Sequence, residues 1–146
     1  MVEVRTYTLE HFYQMQEMGL RAEDNKRVED PNYWEIMTKF SEAYSVFVDG
    51  EILFSGGVLM LRKGFGEAWL LCSILAYRYP ITVYRMAKGI LEQIIEDGNL
   101  YRVQATPRTN WPMGYRFVER LGFQREGVLR KYGLHKEDCF MYGRIT

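Results

Sequence analysis

The chain has 146 residues, of which 47% are hydrophobic and 26% charged, with 19 Lys plus Arg against 19 Asp plus Glu. That is one domain's worth of ordinary globular composition (1–146), which excludes a disordered chain and a membrane-embedded bundle. Zero net charge argues against a nucleic-acid ligand, which calls for a basic surplus, although a local basic patch stays open.

Val2 and Val4 alternate with polar residues, so residues 2–8 read as a first strand. Thr8 is an N-cap signal for a helix over 9–19, with His11 where a capping box expects an acid and Gly19 as the stop. Residues 20–30 are densely charged and end at Pro31, as a short helix or loop does. A further helix over 32–43 carries Trp34, Met37 and Phe40. The period then changes to two: Val46 and Val48 lead into Asp49-Gly50, followed by Ile52 and Phe54, a hairpin signature. Gly56-Gly57 suggests a bulge, and Lys63-Gly64-Phe65-Gly66 a turn. Residues 67–75 are nearly all apolar, as in a strand buried on both faces. After a loop over 76–81, Thr82 caps a helix whose apolar positions Val83, Met86, Ala87, Ile90, Leu91, Ile94 and Ile95 lie on one stripe. Gly98-Asn99 ends it. A strand over 101–105, a helix over 111–121 and two strands near 126–134 and 138–145 complete the chain. Strands alternating with helices predict an α/β fold: a mixed sheet covered by helices on its faces.

Cys72 and Cys139 lack a CxxC or Cys-His pattern and read as two packed thiols, with a disulfide or metal site as the minor alternative. The start, Met1 to Arg5, has no apolar signal core, and no apolar run approaches the ~20 residues of a membrane helix. The expectation is a cytoplasmic protein that contacts no membrane. There is no Walker loop, zinc spacing or Gly-x-Ser-x-Gly elbow.

The run Phe117-Val118-Glu119-Arg120-Leu121-Gly122-Phe123-Gln124-Arg125-Glu126-Gly127, placed after strand, helix and strand, resembles the GNAT superfamily of acyl-CoA N-acyltransferases. Many members end their fourth helix in a Glu-Lys/Arg-Leu-Gly-Phe phrase. Gly122 supplies a positive-φ stop and Phe123 packs back under the helix. Lys136 to Tyr142 looks like the acidic turn and last strand of ribosomal-protein-alanine-type members. A narrower resemblance is to divergent GNAT-like proteins of tailed bacteriophages, among them T7-type internal virion or assembly proteins. It is carried by Leu20 to Asp24, Ala68 to Leu71, Tyr84-Arg85-Met86, Thr109-Asn110 and Tyr115-Arg116-Phe117.

The resemblance implies a twisted sheet of about seven strands with helices on both faces. It also implies acetyl-CoA as acyl donor and an amine as acceptor. In such a fold two central parallel strands splay, and backbone groups of the fourth strand pair with the pantetheine amides as an added strand would. Ser73, Ile74 and Leu75 are expected to line that gap, near Val103. The diphosphate would rest at the next helix N-terminus. The usual Gln/Arg-x-x-Gly-x-Gly/Ala loop is missing there: Arg85 and Ala87 stand at the glycine positions, after Arg78 and Thr82. Side-chain charge from Arg78, Arg85 and Lys88 would replace close backbone approach. Alternatively, they are solvated arginines at the edge of a dead site.

Transfer needs a base for the amine's proton and an acid for the leaving thiolate. The family's Tyr position holds Val118, so Tyr115, one turn earlier, is the candidate acid, against a plain packing role. Asn110 is one residue out of register with the Asn that commonly begins this helix. Glu23 is the candidate base, with Asp24 and Glu67 as alternatives, and each reads equally as a surface or capping carboxylate. His135 in the last turn reads as solvent-exposed. Three functions follow: an N-acetyltransferase acting by direct attack of an amine on the thioester, a non-catalytic GNAT-fold phage protein for virion assembly or host interaction, and a nucleic-acid-modifying relative, against which the zero net charge counts.

Overall fold

A computed structural model describes residues 1–28 and 30–146. Seven strands form one sheet: β1 (Val2–Thr6), β2 (Ser41–Val48), β3 (Glu51–Arg62), β4 (Phe65–Cys72), β5 (Arg102–Ala105), β6 (Gln124–Leu129) and β7 (Cys139–Ile145). Their spatial order is β1-β2-β3-β4-β5-β7-β6. Only β4 and β5 run parallel; the other neighbours are antiparallel. The helices are α1 (Leu9–Met18), α2 (Ala22–Asn25), α3 (Pro31–Phe40), α4 (Pro80–Gly98) and α5 (Pro112–Arg120), with 3-10 turns at Lys26–Val28 and Ile74–Tyr77.

On one face, Phe12 and Met15 of α1 and Trp34 and Met37 of α3 pack on Phe47, Ile52, Trp69 and Leu71 of the sheet. On the other, Leu91 and Ile94 of α4 meet Val103, Ala105, Phe123 and Tyr142, and Val83 and Ala87 meet Val46, Phe54 and Cys72. Successive β4 residues therefore serve opposite cores, which is why the strand's sequence is continuously apolar.

Several expectations hold. Asp49 and Gly50 both take positive φ (48° and 83°), the conformation a tight hairpin demands. His11 completes the capping box in place of an acid: its Nδ1 accepts from Thr8 N at 3.3 Å. Gly122 has φ 96°, and Phe123 is buried against Leu91 and Leu121.

Others are corrected. Gly56 and Gly57 do not make a bulge; they pair in register with Tyr44 and Ala43, and the irregularities lie at Leu53 and Leu61. A Cβ on Gly57 would collide with the Glu42 carbonyl and with Ala43, so close strand approach is what excludes a side chain there. The helix expected to reach 43 stops at Phe40, and 41–43 belong to β2. Thr82 does not cap α4: the helix begins at Pro80, a residue suited to the first helical position, after Tyr79. Gly66 already belongs to β4, and that strand ends at Cys72, because Ser73 accepts from Leu75 N and starts the 3-10 turn.

β4 and β5 pair over three residues only: Phe65 with Arg102, Gly66 with Val103, Glu67 with Gln104. The chain after β5 then stays with β7 instead. Phe140 N donates to Pro107 O at 2.9 Å, and Arg108 bridges to Cys139. Beyond Glu67 and Gln104 the two strands part, and the cleft so defined is occupied on its β4 side by residues of the 20–27 segment. Its vertex is thus not at Val103, which lies inside the paired stretch.

Candidate functional site

The cleft has two lips, the outer edge of β4 and the segment after β5. At the vertex, Gln104 Nε2 donates to Glu67 Oε1 at 3.0 Å. Glu67 shares the sheet face of Trp69 and Leu71 by strand alternation. Its carboxylate is felt by two tyrosines. Partial burial raises the Tyr33 phenol, Arg27 pulls it down, and Glu67 adds to the rise. Burial followed by Glu67 raises Tyr132.

Beyond the vertex, the β4 edge is covered by the chain itself. Gly19, at φ 109°, ends α1 and turns the chain onto β4. Leu20 forms an antiparallel bridge with Ser73; Arg21 N donates to Cys72 O (3.0 Å) and Ile74 N to Gly19 O (2.9 Å). Arg21, Asp24 and Arg27 then recur at i, i+3 and i+6, a spacing that brings side chains to one helical side. Asp24 is fully buried. Its Oδ2 accepts from Arg21 Nε (3.0 Å) and from Cys72 N (3.1 Å), and its Oδ1 from Arg27 Nη1 (3.0 Å). Arg27 Nη1 also donates to Leu70 O at 2.5 Å. Buried charge is tolerable only with such complete pairing.

The opposite lip holds the same segment. The guanidiniums of Arg21 and Arg108 lie 5.0 and 5.3 Å from the Trp111 ring, and Arg108 Nη2 donates to Glu23 O at 3.3 Å. The Trp111 indole nitrogen is buried and has no hydrogen-bond partner among the described residues. At the cleft mouth, Tyr77 OH accepts from Ala22 N (3.0 Å) and donates to Glu23 Oε2 (3.2 Å). Sequence reasoning passed over Tyr77, Arg27, Arg108 and Trp111. The chain signal available for Trp111 was its place beside Asn110, directly before Pro112.

The expected site residues scatter around this arrangement. Ser73 is buried, its Oγ donating toward the Ile52 and Leu53 carbonyls (2.7 and 3.1 Å) and its N to Leu53 O (3.0 Å). Leu75 N donates to Ser73 Oγ at 3.3 Å. The amides of Ser73, Ile74 and Leu75 are thus already used within the chain, and Ile74 and Leu75 sit in a turn rather than a strand. Arg78 is exposed beside the start of α4, its guanidinium 5.5 Å from the Tyr79 ring. Thr82 lies inside the first turn of α4. Arg85 is exposed and lines a groove of about 300 Å³ with Val4, Tyr44, Met86 and Gln93. That groove lies against the β1–β2 end of the sheet. Asn110 is exposed in the turn before Trp111.

Glu23 and Tyr115 take different partners. Glu23 meets Tyr77, whereas the Tyr115 ring packs edge-on to Phe140 (5.3 Å between centroids) with Arg125 5.2 Å away. Next to it, Tyr142 OH donates to Glu119 Oε2 (2.7 Å) and accepts from Arg125 Nε (3.0 Å). Burial pushes the Cys72 thiol up to about 12 against the pull of Arg21, so it stays neutral and is no nucleophile at neutral pH.

No family model matches the sequence, and no curated protein matches it. Solved structures do. Ard1 from Thermoplasma volcanium superposes with TM-score 0.78 at 12% identity, covering 99% of this chain and 97% of that one. Ribosomal-protein-alanine N-acetyltransferase from Brucella melitensis gives 0.76 at 11% identity, covering 99% of both chains. A GNAT-family acetyltransferase from Streptococcus pneumoniae gives 0.68 at 16%, covering both chains fully. At such identities the likeness speaks for architecture. The chain has the GNAT fold.

Proposed function

We propose that this protein is an acyl-CoA-dependent N-acyltransferase that moves an acetyl group directly from acetyl-CoA to an amine. The observation that carries the reading is the parting of β4 from β5 after Glu67 and Gln104. It creates a strand edge long enough to receive an extended amide chain by strand addition. The ribosomal-protein-alanine N-acetyltransferase and the GNAT-family acetyltransferase of like fold support an acetyl-transfer reading.

In this reading the donor's amides pair with Leu70 and Cys72, and its thioester lies near the vertex. The acceptor nitrogen attacks the thioester carbonyl carbon, the C–S bond breaks, and the amine's surplus proton passes to a carboxylate. Glu67, flanked by Tyr33 and Tyr132, serves on the acceptor side; Glu23 is the alternative base at the mouth. The departing thiolate takes a proton from a hydroxyl. The expected acid Tyr115 has its ring engaged with Phe140, whereas Tyr132 lies near enough to Glu67 at the vertex to feel its charge and is the alternative; Tyr77, bonded to Glu23 at the mouth, sits at the diphosphate end. Arg78 supplies charge for the donor's diphosphate beside the α4 start.

One observation favours a second reading: Asp24, Arg21 and Arg27 occupy the very groups the donor would pair with. An edge that stays so occupied fits a GNAT-fold binding protein without catalysis. The resemblance of Leu20 to Asp24 and the other named segments to phage-encoded proteins extends this reading to a virion-assembly or host-interaction protein, in the virion or host cytoplasm.

Calorimetric titration with acetyl-CoA, followed by an assay of free thiol release against a panel of amines, separates the two. The first reading predicts binding and amine-dependent thiol release. At a hundredfold excess over Kd, bound donor stabilises the fold by ~2.7 kcal/mol. Absence of binding to acetyl-CoA, propionyl-CoA and free CoA decides for the second.

A further inference from the structure

We propose that α2 and the turn after it form a latch, which closes the cleft in the free protein and must swing away for the acyl donor to enter. This inference rests on the reading of the cleft as the donor site.

The closed state is fixed at both lips. On the β4 side, the Asp24 carboxylate takes the Cys72 amide and the Arg27 guanidinium takes the Leu70 carbonyl. These are outward-facing backbone groups that an added strand requires. On the other side, Arg21 and Arg108 clasp Trp111, and Arg108 holds the Glu23 carbonyl. Tyr77 closes the mouth through Ala22 and Glu23. A donor tail and this segment therefore compete for the same hydrogen-bonding groups.

The segment is built to move as a unit. Asp24 is the one buried residue of α2, so α2 itself is held by charge and hydrogen bonds, and apolar packing anchors the segment at its ends, through Leu20 before it and Val28 at its close. Such elements open at lower free energy than core strands. The donor's apparent affinity then equals its intrinsic affinity reduced by the fraction of molecules with the latch open. Opening exchanges Asp24 for an amide oxygen at Cys72 N and Arg27 for an amide N–H at Leu70 O, so that both β4 groups are paired in either state.

The test compares acetyl-CoA affinity by calorimetry in the wild type, Asp24→Asn and Arg27→Met, with circular dichroism as the check of folding. Asp24→Asn removes the charge that gathers the two guanidiniums, and Arg27→Met frees Leu70 O. Binding tightened by about tenfold in either variant supports the latch. Hydrogen exchange on the wild type needs no variant to fold: with saturating acetyl-CoA, amides of 22–28 exchange faster while those of β3 do not. Equal affinity in every folded form, with unchanged exchange over 22–28, overturns the latch and leaves the donor site standing. No binding by any form overturns both.

Discussion

The outer edge of β4 has two halves that satisfy the same backbone chemistry by different means. From Phe65 to Glu67 it is paired with β5, backbone to backbone, and Gly66 lies so close to β3 that a Cβ would run into Val58 and the Leu59 carbonyl. From Leu70 to Cys72 it is paired with Arg21, Asp24 and Arg27, two of them through side chains. The first half is permanent architecture. The second is an exchangeable cover, because charged side chains are partners that a ligand can replace without altering the sheet. The protein's own side chains thus hide a strand edge in the middle of the sheet, which left bare would be a template for pairing with another chain.

Removing the buried carboxylate is the largest perturbation of the covered half. Asp24→Ala strands two guanidiniums and the Cys72 amide, and is expected to cost about 3–5 kcal/mol in urea unfolding. Loss below 1 kcal/mol would mean that the cover contributes little. On the paired half, Gly66→Ala forces a methyl group into β3 and is expected to cost about 1–3 kcal/mol by overpacking, with acetyl-CoA affinity unchanged in the folded fraction. A third contrast concerns the two arginines at α4. Arg78→Ala is expected to weaken acetyl-CoA binding by about fivefold to tenfold, the worth of one charge-assisted contact. Arg85→Ala, in the groove beside Val4 and Tyr44, leaves it unchanged. Equal effects of the two would place the diphosphate elsewhere.

The smallest effect is a control far from the cleft. Burial, then Arg5, holds the His11 imidazole below its usual value, with Glu10 opposing. His11 also uses its Nδ1 to accept from Thr8 N and to bond Ser45 Oγ at 2.8 Å. The unfolded chain therefore takes up the proton first. Stability from this group is complete above about pH 6.5 and is lost as the pH falls from there toward the lowered folded value. His11→Gln is expected to shrink the fall in Tm between pH 7.5 and 5.5 by about 1–2 °C. An undiminished fall would assign the pH dependence to other groups.

Much of this architecture was legible because local rules suffice for it. Asp49-Gly50 carries its own turn geometry, and Leu121-Gly122-Phe123 its own helix stop. A glycine pair such as Gly56-Gly57 signals either a bulge or a close approach, and only the neighbouring strand decides between them. Thr82 carries the local signal of a cap, yet Pro80, which by local rules also suits the preceding loop, takes the first helical position. The cleft itself was beyond local reading. Arg21, Asp24 and Arg27 look like a solvated charged run until Asp24 meets Cys72, 48 residues further along the chain. The gap at Ser73 to Leu75 was placed too far along because Ser73, expected in a strand, turns inward to cap a 3-10 turn.

The central claim is that the edge of β4 beyond Glu67 receives an acyl donor. Its most direct test is amide NMR during titration with acetyl-CoA. The account predicts the largest shift changes at Leu70 and Cys72, with changes through 21–28 at the same ligand concentrations. Resonances of β4 that stay in place while the ligand is saturating, or that never respond at all, would contradict it.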